Sequence, residues 1–308
     1  MILTHLTYQD KYAGIKAVGD AKVLPPSGSK AKVHMQRAFY LTTQMEAPVW
    51  GCVQSYDGCG MSGGPMHYIG LYPKTMEQGP LFPLLRRIEI TPGTPVQPLW
   101  DEFKEVGWYV ARDGKLRNIK TGGLITGTEI RNTFTPPNGL VPKVGAARKQ
   151  AEKWATLFYN LLSDPITYAA QADYSIEYLI KSSADTELRA YRLFLPKVES
   201  PERIGIEPSS ILPEAVDLAM CVYHSFTPNA PAIARQCLEA TLTKVGSKPT
   251  PLEFAKVLIK TLGTKSYGRW KDVPGSKGSR YDATRNACLN SKLWTTDLLD
   301  ATLPIDFK

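Results

Sequence analysis

The sequence predicts an α+β fold, because strand-forming and helix-forming patterns occupy different parts of the chain. Residues 51–72 place six glycines between β-favouring residues, which is typical of a short hairpin. From Ala146 onward, helical periodicity dominates. The composition is 43% hydrophobic and 21% charged over 308 residues, as in ordinary globular proteins that bury a sizeable core.

The N-terminal part is predicted to be an arm followed by a helix. Residues 1–30 end in the loop-forming run LPPSGSK, which favours an arm. Beyond it, the residues of one face recur at spacings of three and four, which predicts a helix ending at Glu46. Pro48 stops that helix. The residues of this face are Met35, Ala38, Thr42 and Met45.

The remainder is predicted to be one domain, residues 31–308, interrupted by a segment rich in Pro, Gly and Thr. This insertion covers residues 73–145 and contains a second hairpin that turns at Asp113-Gly114. Residues 146–162 form a strongly amphipathic pattern and are predicted to be a helix. Further helices are predicted at 166–183, 213–225, 229–243 and 251–262.

Charge and hydropathy narrow the classes of partner. The net charge of +8 suits anionic polymers, but no block of five or six basic residues is present, so a nucleic-acid-binding arm is not indicated. No run approaches the roughly 18 apolar residues that a membrane span requires. The first ten residues lack the basic and apolar segments of a signal peptide.

The five cysteines predict neither a metal site nor a disulfide framework. Their number is odd and they form no CxxC pair, so we expect reduced, mostly buried thiols. The cysteines are Cys52, Cys59, Cys221, Cys237 and Cys288. No cofactor motif accompanies them, because the glycine runs lack the patterns that cradle phosphate.

Two carboxylates and a hydroxyl occur in an order that suits a glycosidase. Glu46 ends an apolar helical face, and burial there would favour the protonated state that a general acid needs. Asp57 follows in a Tyr-Asp-Gly turn, and Ser62 comes five residues later. Singly, these residues are ordinary: a helix-end glutamate, a turn aspartate and a hairpin serine. Their ordered combination favours acid/base cleavage of a sugar chain.

The segment Glu46, then Asp57-Gly-Cys-Gly-Met-Ser62-Gly-Gly64, resembles the active-site segment of the lysozyme-like superfamily. In its phage-type lysozymes and chitosanases, a helix-end Glu precedes a hairpin with the pattern Asp-x-x-Gly-x-Thr-x-Gly. Gly60 and Gly64 match, and Ser62 stands where Thr is usual. The resemblance implies that Glu46 is the general acid, Asp57 the water-activating base and Ser62 the residue that positions the water.

The sugar-binding residues are also predicted around this segment. His67 lies near a family histidine that follows the hairpin, and is assigned to substrate binding by the resemblance. Aromatic faces suit the apolar faces of sugars, so Tyr56 and Tyr68 are predicted to contact substrate. Trp108 and Tyr109 are further candidates, although core packing is the expected role of at least half of these aromatic residues.

The resemblance implies a lysozyme-like fold, with a small hairpin lobe and a larger helical lobe that flank a cleft. It implies a muramidase that inverts configuration while it cleaves the β-1,4 bond between N-acetylmuramic acid and N-acetylglucosamine, without a metal or cofactor. Peptidoglycan is the expected partner, together with components of a virion or secretion device. We expect synthesis in a host cytoplasm without a signal peptide, and action on the cell wall as an endolysin or virion-associated enzyme.

Three alternatives remain open. A lytic transglycosylase would use Glu46 alone, with a hydroxyl of the sugar as nucleophile. A chitosanase would need a locally acidic cleft, since its substrate is cationic and the chain carries +8. A degenerate lysozyme-like domain would bind peptidoglycan without cleaving it. Pro65 after the hairpin glycines and the length of the chain both depart from a minimal phage lysozyme.

Overall fold

The computed structural model describes residues 6–24, 39–40, 43, 47–55, 58–185 and 244. The chain divides into two compact units. The first comprises Met1–Val23 and Glu46–Tyr174, and the second comprises Leu24–Met45 and Ser175–Lys308. The described residues combine helices with antiparallel strands, so the predicted α+β class is confirmed. Most of them belong to the first unit.

A five-stranded antiparallel sheet organises the first unit, with its strands in sequence order β1-β2-β3-β4-β5. Pairing between β3 and β4 sets Gln54 opposite Ser62, and pairing between β4 and β5 sets Ser62 opposite Ile69. The described residues of 51–72 thus contain short antiparallel strands, as their glycine pattern predicts. The strands are β1 (Leu6–Gln9), β2 (Gly14–Ala17), β3 (Val53–Gln54), β4 (Ser62–Gly63) and β5 (Tyr68–Ile69).

The N-terminal residues predicted as an arm contribute two of these strands. Ile15 and Ala17 of β2 are buried in the core. The backbone N–H of Ile15 donates to Ser55 Oγ at 2.7 Å, and the backbone N–H of Ser55 donates to the Ile15 carbonyl at 3.0 Å. The main chain of β2 is therefore fixed to the segment that follows β3, which makes residues 6–17 an integral part of the sheet.

Residues 73–145, predicted as an insertion, are mostly regular structure. The predicted hairpin at Asp113-Gly114 is confirmed, because β6 and β7 pair antiparallel and the Asp113 carboxylate accepts the backbone N–H of Lys115 at 3.0 Å. Three helices of this segment were not predicted. The elements are α1 (Leu81–Glu89), α2 (Gln97–Glu105), β6 (Trp108–Val110), β7 (Leu116–Asn118) and α3 (Gly127–Phe134).

Two long helices follow, as their periodicity predicts. Helix α4 covers Ala146–Ser163, and a 3-10 turn at Pro165–Thr167 leads into α5, Tyr168–Asp185. The helices predicted at 213–225, 229–243 and 251–262 lie outside the described residues. In the part of the chain that is described, no helix has the length and apolar character needed to cross a bilayer.

Phe134, the last residue of α3, lies in an aromatic cluster of the core and is fully buried. Its ring centroid is 4.8 Å from that of Trp154 in α4 and 6.3 Å from that of Phe82 in α1. Three more rings lie within 6.3 Å: Phe103, Trp108 and Phe158. The segment predicted as an insertion therefore supplies four of the six rings in this cluster.

A capping box formed by Thr126 and Glu129 begins α3. Its contribution to the stability of the protein can be measured. Thr126 Oγ1 accepts the backbone N–H of Glu129, and Glu129 Oε2 accepts the backbone N–H of Thr126 at 2.9 Å. We expect Thr126→Ala to lower the free energy of unfolding by about 1 kcal/mol, the typical loss when a capping side chain is removed. Urea denaturation followed by tryptophan fluorescence measures this loss.

The same cap predicts a pH dependence. Hydrogen bonds from the side chain and then the backbone of Thr126 lower the pKa of Glu129. A carboxylate with a lowered folded-state pKa stabilises the protein above its unfolded pKa of about 4.3, and the effect is lost as pH falls through the folded value. The cost of Thr126→Ala should therefore shrink below about pH 4. Thr128→Ala, in the same exposed turn, is the control, and equal stability of both variants at neutral pH would contradict this account.

Candidate functional site

The predicted site residues fall into two groups. Glu46, Tyr56 and Asp57 lie outside the described residues, so their predicted roles stay predictions. Ser62, His67 and Tyr68 are described. In sequence, Asp57 falls in the connection from β3 to β4, and Glu46 precedes β3.

The two glycines that carry the family resemblance adopt a backbone conformation that favours glycine. Gly60 has φ +75° and Gly64 has φ +80°, in the left-handed region that L side chains rarely adopt. Gly60 lies just before β4 and Gly64 just after it. The backbone N–H of Gly64 donates to the Cys52 carbonyl at 2.9 Å, which continues the pairing of β3 with β4. The motif therefore corresponds to the bends at both ends of one short strand.

Ser62 is fully buried on β4, between β3 and β5. Its Oγ donates to the Gln54 carbonyl across the β3–β4 pair, at 3.4 Å. The hydroxyl therefore forms a hydrogen bond between the two strands of the hairpin. Its predicted role in positioning water stays a prediction, and would require water to reach a side chain that is covered here.

Tyr68 is predicted to bind substrate, and the structure places it in the core. The residue is 2% exposed, and its ring meets that of Tyr174 edge-on at 5.2 Å between centroids. Its hydroxyl donates to Met66 Sδ at 3.2 Å. A ring enclosed in this way presents no face to a sugar. Trp108 is likewise buried, whereas Tyr109 is exposed.

The side chain of His67 contacts that of Cys52, and no sequence motif indicates this contact. Its Nε2 lies 2.8 Å from Cys52 Sγ. The residue has φ +47°, and its backbone N–H donates to the Gly64 carbonyl at 3.1 Å, which closes a tight turn between β4 and β5. Cys52 is 3% exposed, while His67 is only partly buried. The pair therefore joins a buried thiol to an imidazole at the edge of the core.

The chemistry of this pair is not that of a nucleophilic cysteine. Burial raises the pKa of the Cys52 thiol to about 11, and the positive charge of Lys16 opposes this only in part. Reactive cysteines have a lowered pKa that supplies the thiolate. Cys52 is therefore a protonated thiol at neutral pH, which argues against a Cys–His hydrolase. Cys52 and Cys59 are both free and buried, as expected for reduced thiols.

Metal chemistry was not predicted for this chain, and no cluster of three or more His, Cys, Asp or Glu side chains suited to a metal ion occurs among the described residues. Neither protein-family models, nor curated proteins, nor solved structures gave a match to this chain.

Proposed function

We propose that this protein is a peptidoglycan hydrolase of lysozyme-like fold, which cleaves the β-1,4 bond between N-acetylmuramic acid and N-acetylglucosamine. The observation that carries the proposal is the conformation of the motif that follows Glu46. Its two family-matching glycines, Gly60 and Gly64, bend the chain at positive φ on either side of β4. An active-site hairpin of the proposed kind needs such bends, and the motif supplies glycine where they occur.

The proposed mechanism uses two carboxyl groups in complementary roles. Glu46 donates its proton to the glycosidic oxygen as the bond to the anomeric carbon breaks. Asp57 removes a proton from a water molecule that attacks the anomeric carbon from the opposite face of the ring. The products are a new reducing end with inverted configuration and a free hydroxyl on the leaving sugar. His67 and Tyr56 bind the sugar in this proposal.

The charge of the chain agrees with this choice of substrate. A net charge of +8 favours approach to an envelope that carries carboxylates and phosphates. It disfavours chitosan, which is cationic. Clearing of purified sacculi by the full chain, followed as turbidity, tests the proposal. Binding to sacculi without clearing would instead support a non-catalytic peptidoglycan-binding protein.

One observation favours a second candidate, a lytic transglycosylase. Ser62 is fully covered, so its hydroxyl is not available to hold a water in the described conformation. A transglycosylase needs no such water, because a hydroxyl of the muramic acid attacks its own anomeric carbon. The two candidates share Glu46 and differ in their need for Asp57.

Replacement of Asp57 separates them. If the protein is a hydrolase, Asp57→Asn removes the base that activates water, and the initial rate of clearing should fall by about 10²–10⁴-fold. Asp101→Asn, which changes an exposed aspartate of α2, is the matched control and should retain the wild-type rate. If Asp57→Asn instead retains most of the activity and the products carry anhydro ends, the transglycosylase is correct.

A further inference from the structure

We propose that the outer face of the β6–β7 hairpin is a second glycan-binding surface, on which the ring of Tyr109 stacks on a sugar while the guanidinium of Arg117 binds a carboxylate of the same polymer. The polymer is the glycan strand of peptidoglycan with its attached peptides, and this choice of polymer rests on the proposed function. The surface belongs to residues 73–145 and shares no residue with the motif that follows Glu46.

Three solvent-accessible side chains form a row across the hairpin. Tyr109 of β6 pairs with Arg117 of β7, and Arg117 also forms an isolated antiparallel bridge with Leu124. Directly opposed residues of antiparallel strands place their side chains on the same face, with Cβ atoms about 4.5–5.5 Å apart. Tyr109 is 38% exposed, Leu124 is 58% exposed and the side chain of Arg117 is 31% exposed. The row therefore presents an aromatic ring, a guanidinium and an apolar side chain to solvent.

The opposite face of the hairpin is anchored to the core. Trp108 and Leu116 are buried on that face. The buried side chain of Gln78 donates from Nε2 to the carbonyls of Leu116 and Ile125, both at 2.9 Å. Its Oε1 accepts the backbone N–H of Leu116 at 2.6 Å. A ligand that binds the outer face therefore meets a main chain that is already fixed in place.

The Arg117 guanidinium is held in one orientation by contacts that leave donors for a ligand. Its Nη2 donates to Asp113 Oδ2 at 2.8 Å, and its Nη1 donates to the Gly122 carbonyl at 3.1 Å. A guanidinium carries five N–H donors in a planar fork, so these two bonds do not exhaust it. Such a fork binds a carboxylate through parallel hydrogen bonds. Because the side chain is already ordered, less conformational entropy is lost when it binds.

Tyr109 supplies the group that distinguishes a sugar from a simple anion. Aromatic rings suit the apolar faces of sugars, and a ring on the outer face of a strand is open to stacking. Ile119 is also exposed, and its backbone N–H donates to the Gly107 carbonyl at 2.8 Å, which extends the strand pairing beyond β7. Because residues two apart on a strand share a face, Ile119 adds apolar surface on the same side as Arg117. An aromatic ring beside a cation and apolar side chains suits a sugar that carries a carboxylate.

The charge of this segment favours an anionic polymer. Residues 108–124 contain four basic residues, Arg112, Lys115, Arg117 and Lys120, against one acidic residue, Asp113. Arg112 and Lys120 are exposed, whereas Lys115 Nζ donates to the Gln78 carbonyl at 3.0 Å. An excess of positive charge attracts a polyanion and disfavours a cationic glycan. Peptidoglycan combines N-acetylated sugars with peptide carboxylates, so it offers both of the groups that this surface suits.

Co-sedimentation of the full chain with purified sacculi tests the proposal. The sacculi are freed of teichoic acid, and binding is measured in the cold, before clearing begins. Tyr109→Thr removes the ring but keeps a strand-forming residue, so the Kd should rise about 5-fold. Tyr109→Phe keeps the ring and should bind as the wild type does. Arg117→Gln removes the charged fork and should raise the Kd about 10-fold.

A second exposed tyrosine provides the matched control. Tyr72 follows β5 and is exposed to a similar extent as Tyr109, so Tyr72→Thr should leave the Kd unchanged. Wild-type affinity in Tyr109→Thr, or an equal loss in Tyr72→Thr, would contradict the proposal. Arg117→Gln also breaks the bonds to Asp113 and Gly122, so the two Tyr109 variants decide if it does not fold.

Competition separates recognition of a glycan from attraction between opposite charges. Soluble peptidoglycan strands should displace the protein from sacculi, and polyglutamate at the same concentration of carboxylate should displace much less. Equal displacement by polyglutamate would make the hairpin a general anion-binding surface and overturn the proposal.

Failure of this surface and failure of the hydrolase proposal give different results. A wild-type protein that binds sacculi through Tyr109 but does not clear them would refute the hydrolase and leave the surface intact. A wild-type protein that clears sacculi, with an unchanged Kd in Tyr109→Thr, would refute the surface alone. A wild-type protein that does not bind sacculi would refute the surface as well.

Discussion

Glu46→Gln should reduce the initial rate of sacculus clearing by at least about 10²-fold, within the 10²–10⁴-fold range attributed to general acid–base catalysis. Glutamine has nearly the shape of glutamic acid, but its amide has no acidic proton to deliver to the glycosidic oxygen. In the hydrolase and in the transglycosylase alike, that proton makes the leaving sugar a neutral alcohol. Both candidate enzymes therefore predict the loss, and the non-catalytic alternative does not.

A glutamate at the end of a described helix provides the control. Glu105 is the last residue of α2 and is exposed, so Glu105→Gln should clear sacculi at the wild-type rate. Circular dichroism and thermal unfolding should be unchanged in both variants, which separates a loss of chemistry from a loss of fold. Wild-type clearing by Glu46→Gln would remove this residue from catalysis and exclude the mechanism proposed here.

Phe134→Ala should lower the free energy of unfolding by about 3–5 kcal/mol, the largest stability effect that we expect. The ring is fully buried and contacts aromatic residues of α1, α2, β6 and α4. Its removal loses the transfer free energy of the side chain and leaves a cavity, because rings held by four different elements can collapse only in part. Chemical denaturation monitored by near-UV circular dichroism measures this loss.

An exposed apolar residue of the same segment is the control for Phe134. Leu140 is 63% exposed, so Leu140→Ala should change the free energy of unfolding by no more than about 0.5 kcal/mol. If Phe134→Ala were equally mild, residues 73–145 would not form the core described here. The prediction therefore tests whether residues 73–145 form part of the core.

The elements that the sequence predicts are those whose signals are local. The amphipathic pattern of 146–162 identifies α4, and the Asp113-Gly114 turn identifies the β6–β7 hairpin. Residues 73–145 also contain local signals for helices. Pro98 lies in the first turn of α2, where proline favours a helix start, and Thr126 with Glu129 forms a capping box. These residues mark the starts of two of the three helices in this segment.

Other features could not be predicted because they depend on contacts distant in sequence. Strand β2 pairs with β3 across more than thirty residues, and strands of two to four residues are too short to show period-2 alternation. For the same reason, nothing local indicates that Ser62 and Tyr68 point into the core. The Cys52–His67 contact requires the strand register and the positive φ of His67 together, and neither is visible in the sequence.

The central claim is that this protein cleaves the glycan strands of peptidoglycan by hydrolysis, and the chemistry of the released ends tests it most directly. Purified sacculi are incubated with the full wild-type chain, and the soluble muropeptides are analysed by mass spectrometry before and after borohydride reduction. We predict fragments with reducing muramic acid ends, each gaining two hydrogens on reduction, and none from Glu46→Gln. Anhydro ends that resist reduction would assign the transglycosylase, and the absence of soluble fragments would contradict the enzymatic account.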